Sequence, residues 1–293
     1  MSGISVIQTI VFGVFIGALY GVAGSGLALV FGVMKVLNVA HGELLMVAGY
    51  VSFWVFNLLG IDPFVSLLLS IPALFGLGIV LDRVIYRHMN RLSGEVKIKN
   101  SMLVSFGLTL LLQALAIQFF TADERTIQTT YSGTSLNIGG VLLPYTRLIS
   151  LAVVFVSIGL LHQFLQRSYV GKAIRAAAED FEAAELAGIN IQRYYMLTMA
   201  LGAVLAGVAG TLVSVGFGIT PTLGLAWTLR AMVVVVLAGT GNIFGVFSAG
   251  LLLGLSEALS SLVFGAASRE IVSLTLFLAV LVLRPQGLFG GRR

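Results

Sequence analysis

Hydrophobic positions along this chain do not alternate with polar ones. They run together in blocks long enough to cross a bilayer, separated by short polar breaks. Ile4 to Met34 is one uncharged run, longer than the ~20 residues that a membrane helix needs. Further runs follow at Leu44–Leu59, Phe64–Leu81, Ser101–Phe120, Leu148–Phe164 and Tyr194–Val215. Leu229–Leu262 is too long for one crossing and carries Gly239-Thr240-Gly241-Asn242 inside it, which predicts two spans joined by a tight turn. Ile271–Leu283 is a short last run. The pattern predicts an all-α polytopic membrane protein of eight to ten crossings, built as a single domain over residues 1–293.

Glycines recur at helical spacing within these runs. Gly13, Gly17 and Gly21 lie four apart and form a ridge that lets a second helix approach closely. Gly207 and Gly210, in a run dense with small residues, predict a helix packed against protein, and Gly250 and Gly254 repeat the four-residue spacing near the C-terminus.

One long insert interrupts the apolar pattern. Ser168 to Arg193 carries seven charges around an alanine-rich middle. Alanine, glutamate and arginine favour helix, so a single short helix is expected. Ile174, Ala177, Ala178, Phe181 and Ala184 share one face, and Gly188 ends the helix in a left-handed conformation. A mostly charged helix with few large apolar anchors suits docking into a groove on a partner, Ile174 and Phe181 serving as the anchors.

Composition agrees with the pattern and removes whole classes of function. Hydrophobic residues make up 58% of the 293 and charged residues 10%, far below the roughly one quarter of soluble domains. The net charge of +5 is not a nucleic-acid signature, because 13 of the 17 Lys and Arg fall at Lys35, in 83–99, in 167–193 and in 284–293. That clustering marks the cytoplasmic loops. An external N-terminus followed by nine crossings puts all four segments inside, together with the C-terminus. The uncharged start lacks the basic n-region of a signal peptide and reads as a retained span.

Little catalytic chemistry is on offer. The only Gly-Lys, Gly171-Lys172, has Gln166 where a P-loop needs glycine and Ala173 where it needs Ser or Thr. There is no cysteine and no HExxH, and three scattered histidines predict no metal site. Gly24-Ser25-Gly26 reads as a packing contact rather than a hydrolase nucleophile. Asn38, His41 and Glu43 form the densest polar cluster beside a span. Two readings fit it: groups that line a translocation path or gate, or an interfacial cap with Asn38 bonded to the first N–H groups of the second span. Arg230 and Glu257 are isolated charges in late spans; they line the path, pair with each other, or snorkel to an interface.

Four ordered motifs carry a family resemblance. Asn38, Ala40, His41, Gly42 and Glu43 read N-x-A-H-G-E. Arg175-Ala176, Glu179-Asp180, Ala184 and Leu186–Asn190 run into LTMALGAVLAGVAG at 197–210. Gly239, Gly241, Ile243, Gly245, Gly250 and Gly254 follow, and RPQGLFG closes the series at 284–290. Over nearly its whole length the chain resembles the membrane permease subunits of branched-chain amino-acid ABC importers. It departs from that family at 242–246, where NIFGV stands in place of the usual serine and proline, and in its short tail.

The resemblance implies a multi-pass protein of the bacterial cytoplasmic membrane. Its partners would be a second, homologous permease, two ATP-binding-cassette subunits and an extracytoplasmic solute-binding protein, with membrane lipid around it. ATP and magnesium would sit on the ATPase subunits alone. Loop 168–193 would be the coupling helix, with Gly171, Ile174, Arg175, Ala176, Glu179, Asp180, Phe181, Ala184 and Gly188 as its residues. Permeases for urea or short amides share much of the pattern. A secondary transporter or channel is the reading from another class, and would require several ionisable groups in mid-span.

Overall fold

The computed structural model describes residues 3–90, 92, 94–239 and 242–290. Thr240 and Gly241 of the glycine turn and residues 291–293 of the basic tail lie outside the described residues. The described chain is helical except for one hairpin and its loops. In order it forms α1 (Gly3–Met34), α2 (His41–Leu59), α3 (Leu67–Leu81), a π-helical turn (Asp82–Tyr86), α4 (Arg87–Met89) and α5 (Gly94–Phe120). Strands β1 (Ser135–Ile138) and β2 (Val141–Pro144) come next, then α6 (Tyr145–Arg167), α7 (Tyr169–Glu179), α8 (Phe181–Leu186) and α9 (Ile191–Gly216). The chain ends with α10 (Leu223–Ala238), α11 (Ile243–Phe264) and α12 (Ser268–Leu283).

Seven of the described helical segments are long and apolar enough to span a membrane. α10 and α12, with 16 residues each, are about 24 Å long at 1.5 Å per residue, short of the ~30 Å hydrocarbon core. Together the nine match the eight apolar runs of the sequence, with Leu229–Leu262 divided into two.

Two boundaries differ from the sequence reading. The basic segment 82–100 is not an open loop: helix continues through the π-turn to Met89 and resumes at Gly94. Charged residues ride on helix ends that outrun the apolar core. Glu95 pairs with Lys99 at 2.8 Å, and the Lys97 ammonium lies 5.0 Å from the centre of the Tyr195 ring. The insert 168–193, expected as one helix, is two. Asp180 takes an extended conformation between them, and its carboxylate accepts from the N–H groups of Glu182 and Ala183. A residue that satisfies the next helix's first donors so well starts a new helix rather than continuing the old one.

α1 and α9 lie at the centre, with α10 and α11 beside α1 and with α2 and α3 against α9. Close approach comes from glycine. A Cβ built on Gly17 would stand 2.8 Å from the Gly250 carbonyl oxygen, and one on Gly13 would stand 2.9 Å from Ala258 Cβ. Gly21 faces the Phe247 ring, and Gly250 and Gly254 face the backbone of Gly21 and Gly17. α1 and α11 thus meet backbone to backbone along the ridge. Gly210 faces the Leu45 carbonyl of α2, and Gly207 faces Leu74 of α3. In lipid, where apolar burial gains nothing over solvent, such contact is what holds helices together. α5 and α6 keep broad apolar faces outward, including Leu103, Phe106 and Phe119 on one and Phe155, Val156 and Leu160 on the other.

The hairpin marks one end of the bundle. Gly139 and Gly140, both at positive φ, make its two-residue turn. Gln8 of α1 covers the edge of β2, donating to the Leu142 carbonyl and accepting from the Leu142 N–H, both at 2.8 Å. Tyr131 donates to Asp62 at 2.5 Å and ties the hairpin's approach loop to the α2–α3 turn; burial and that carboxylate push its phenol pKa up, so it remains a donor. Helices α7 and α8 mark the opposite end.

Candidate functional site

The polar break after α1 is packed inside the protein. Val36 and Asn38 through Glu43 are buried, and the His41 ring nitrogen Nε2 lies 3.0 Å from the carbonyl of Ala23, well inside α1. Past Met34 the chain therefore turns back along α1 as a non-helical segment, and α2 begins within the bundle. Non-helical backbone at this depth survives only if its polar groups find protein partners. They do. Ser101 accepts from the Leu37 N–H at 3.1 Å, and Ser105 accepts from the Val39 N–H at 2.9 Å and contacts the Leu37 carbonyl at 3.2 Å. Thr228 of α10 accepts from the Gly42 N–H at 2.8 Å and lies 2.9 Å from the Val39 carbonyl. Two serines one helical turn apart and one threonine act as the missing neighbours of a strand.

Asn38 closes the segment. Its Oδ1 accepts from the Ala40 N–H at 3.0 Å and from the Tyr86 hydroxyl at 2.8 Å; the bond falls just before α2, whose N-cap, Ala40, has no side-chain cap, so Asn38 does not cap the first donors of α2. Tyr86 belongs to the π-turn, where one extra residue per turn re-aims side chains. Glu43 sits against the α-carbon of Gly224, and Gly42 against the Gly224 carbonyl; α2 and α10 touch through these two glycines. Among the described residues neither Glu43 carboxylate oxygen has a hydrogen-bond partner, nor do His41 Nδ1 and Asn38 Nδ2. Buried polar atoms left open in this way are the mark of groups kept for a ligand, a water or a second conformation.

Arg230 and Glu257 lie elsewhere, toward the hairpin end, and come together with residues the sequence reading passed over. Glu257 is 4% exposed and accepts from Tyr20 at 2.9 Å. Arg230 does not form an ion pair with it; the Arg230 guanidinium lies 5.8 Å from the Tyr20 ring centre, and Trp227 meets the same ring edge-on at 5.4 Å. These side chains, with Arg147 and Arg269, line an open cavity of about 480 Å³. Arg147 starts α6, and its guanidinium sits 4.0 Å from the Phe12 ring centre and 5.9 Å from that of Phe217. A lone arginine at a span's first turn was the one available signal for it.

At the opposite end, Ser168 caps α7 by accepting from the Gly171 N–H at 2.9 Å. A Cβ at Gly171 would overlap the Phe164 carbonyl and lie 2.5 Å from Leu165 Cα, so glycine lets α7 fold flat on the end of α6. Ile174 is fully buried in the chain's own core, and Gly171 and Ala184 are buried with it. Ile174 therefore holds α7 to the bundle instead of anchoring a partner. The outward surface includes Arg175, Glu179 and Asp180, with Phe181 49% exposed and Leu186, which the sequence offered only as part of the family motif and not as a docking residue, 91% exposed; Ala176 is half-buried. Gly188, at φ +84°, ends α8 in a Schellman motif: its N–H bonds the Glu185 carbonyl and that of Ile189 bonds the Ala184 carbonyl. The tail segment 284–290 also lies at this end. There the Leu288 and Phe289 N–H groups cap the last carbonyls of α10, Leu237 and Ala238, at 2.7 and 3.0 Å.

A helical bundle with a broken, hydroxyl-braced crossing, a cavity at one end and an exposed helical insert at the other defines the transmembrane domain of a transport permease. Residues 9–283 match the permease component of branched-chain amino acid transport systems, and the chain belongs to that family. It is 32% identical to the high-affinity branched-chain amino acid transport system permease protein BraD of Pseudomonas aeruginosa, over 97% of this chain and 95% of the relative. It is 31% identical to LivH, the permease protein of the corresponding high-affinity system in Escherichia coli, with the same coverage. PsaBC from Streptococcus pneumoniae, solved in complex with Fab, shares the fold at a TM-score of 0.51 and 13% identity, over 96% of this chain and 92% of that one.

Proposed function

We propose that this chain is the permease of an ATP-driven importer that carries branched-chain amino acids across the bacterial cytoplasmic membrane by alternating access. Family membership over residues 9–283 carries the reading. The hairpin end, with the N-terminus, faces outward and receives a solute-binding protein. The α7–α8 end, which gathers Lys172, Arg175, Arg193 and Arg284, faces the cytoplasm. A second homologous permease completes the path, and two ATP-binding-cassette subunits supply ATP and magnesium. Each ATPase grips α7–α8, through Phe181, Leu186 and Arg175, differently in its open and closed forms. Only such differential binding moves the permease between states. Glu43, His41 and Asn38 form the gate at the start of α2, where α10 and α2 part or close at Gly42 and Gly224.

The test is purification of the tagged chain in mild detergent, followed by reconstitution with whatever accompanies it. A homologous permease, two P-loop ATPases and ATP-dependent leucine uptake are expected. Leucine uptake by the purified chain alone would refute the ATPase dependence, and uptake of urea or short amides in place of leucine would refute the solute.

A further inference from the structure

The cavity at the hairpin end is built in two chemically distinct halves. On one side lies Glu257, almost fully enclosed, with the Tyr20 hydroxyl on one carboxylate oxygen. Arg230 and Arg269 line the same cavity without forming an ion pair with this carboxylate. On the other side lies Arg147, held between the Phe12 and Phe217 rings. Among the described residues Arg147 has no acidic group within 4 Å. Trp227, Phe12 and Ile16 supply the apolar wall, and the volume of about 480 Å³ suits a small molecule.

An enclosed carboxylate across a cavity from a stacked, unpaired guanidinium is the arrangement a zwitterion needs. Resting on the proposed role as an amino-acid permease, we propose that this cavity is a transient binding site for the α-amino-acid zwitterion. The ammonium group of the ligand bonds Glu257 and its carboxylate bonds the Arg147 guanidinium, while the aliphatic side chain lies on Trp227 and Ile16. Charge selects the ligand class. A bare amine meets three guanidinium groups in the lining with only Glu257 to attract it, and a bare carboxylate leaves Glu257 without a ligand donor, so the zwitterion alone uses both halves.

Trp227 makes the site readable, because the chain has two tryptophans and the other, Trp54, lies in a separate apolar groove. In a Trp54→Phe background, the full chain in lipid nanodiscs is titrated with L-leucine, with 4-methylpentanoate, which lacks the ammonium, and with 3-methylbutylamine, which lacks the carboxylate. Leucine should change Trp227 emission saturably and bind at least about tenfold more tightly than either analogue, the discrimination expected for one charge-assisted hydrogen bond. Glu257→Gln should bring leucine down to the level of 4-methylpentanoate. Arg147→Gln should bring it down to that of 3-methylbutylamine. A role in stability alone would weaken all three ligands alike, and that pattern overturns the site, as does leucine binding no better than the analogues. If Glu257→Gln does not fold, the Arg147→Gln comparison decides by itself. ATP-driven leucine uptake without leucine binding at Trp227 sinks this site and leaves the importer standing. Leucine binding at Trp227 without ATP-driven uptake supports the site and sinks the importer.

Discussion

Thr228→Val tests whether a single hydroxyl holds the broken crossing together. Valine keeps the shape of threonine and removes only the oxygen that accepts from the Gly42 N–H and contacts the Val39 carbonyl. Both groups are buried, so water does not replace the lost partner, and the Gly42 N–H is a first-turn donor of α2 with no intrahelical acceptor. An orphaned buried group costs about 1–3 kcal/mol, whereas interhelical hydrogen bonds in membrane proteins average only about 0.6 kcal/mol, because alternatives are found in the unfolded state. Here the donor is fixed in a helix start and has no alternative, so the upper range applies. Thr228→Val should lose about 1.5–3 kcal/mol, or about 3–9 °C in apparent melting temperature for a chain of this size. Thr228→Ser should lose much less. The assay is a thermal scan of detergent-solubilised protein at matched scan rate, read by the loss of the monodisperse chromatographic peak. If Thr228→Val melts within about 1 °C of the parent protein, the hydroxyl is not what satisfies this backbone.

Ile174→Ala and Phe181→Ala separate the two faces of the cytoplasmic insert. The first should destabilise the chain by about 2–5 kcal/mol as a buried large-to-small change; the second should leave melting unchanged and weaken ATPase co-purification several-fold. The opposite result would place the partner on the wrong face. Gly171→Ala should detach α7 from α6 and abolish ATP-driven uptake with the protein still inserted, as measured by uptake at matched expression. Gly188→Pro removes the N–H of the Schellman motif and should have the same phenotype; normal uptake would mean that α8 need not end there. Gly17→Leu should prevent α1 and α11 from meeting and leave little folded protein after solubilisation, whereas Gly76→Leu, at an open position in α3, should be tolerated.

The helical class and the approximate places of the crossings were legible in the sequence because a bilayer allows so few solutions. An apolar run of bilayer length must be a helix, and its flanking charges must stay in water. The four-residue glycine spacing in α1 and α11 was legible for the same reason. What lay beyond the sequence was depth and pairing. Lys35 to Glu43 looks like an interfacial break because it is polar. Only the fold brings Ser101, Ser105 and Thr228 to its backbone, from 64 to 189 residues away, and so lets Val36 and Asn38 to Glu43 lie buried. Ile174 and Phe181 share a face of an ideal helix, but Asp180 breaks that helix and gives one residue to the core and the other to the surface. Glu257 and Arg147 are separate charges in separate spans, and only the packing of α1 between α6 and α11 sets them on one cavity. Local pattern determines what each segment becomes, since its own backbone must be satisfied in lipid. Which side chains meet depends on how closely whole helices approach, and no single segment holds that information.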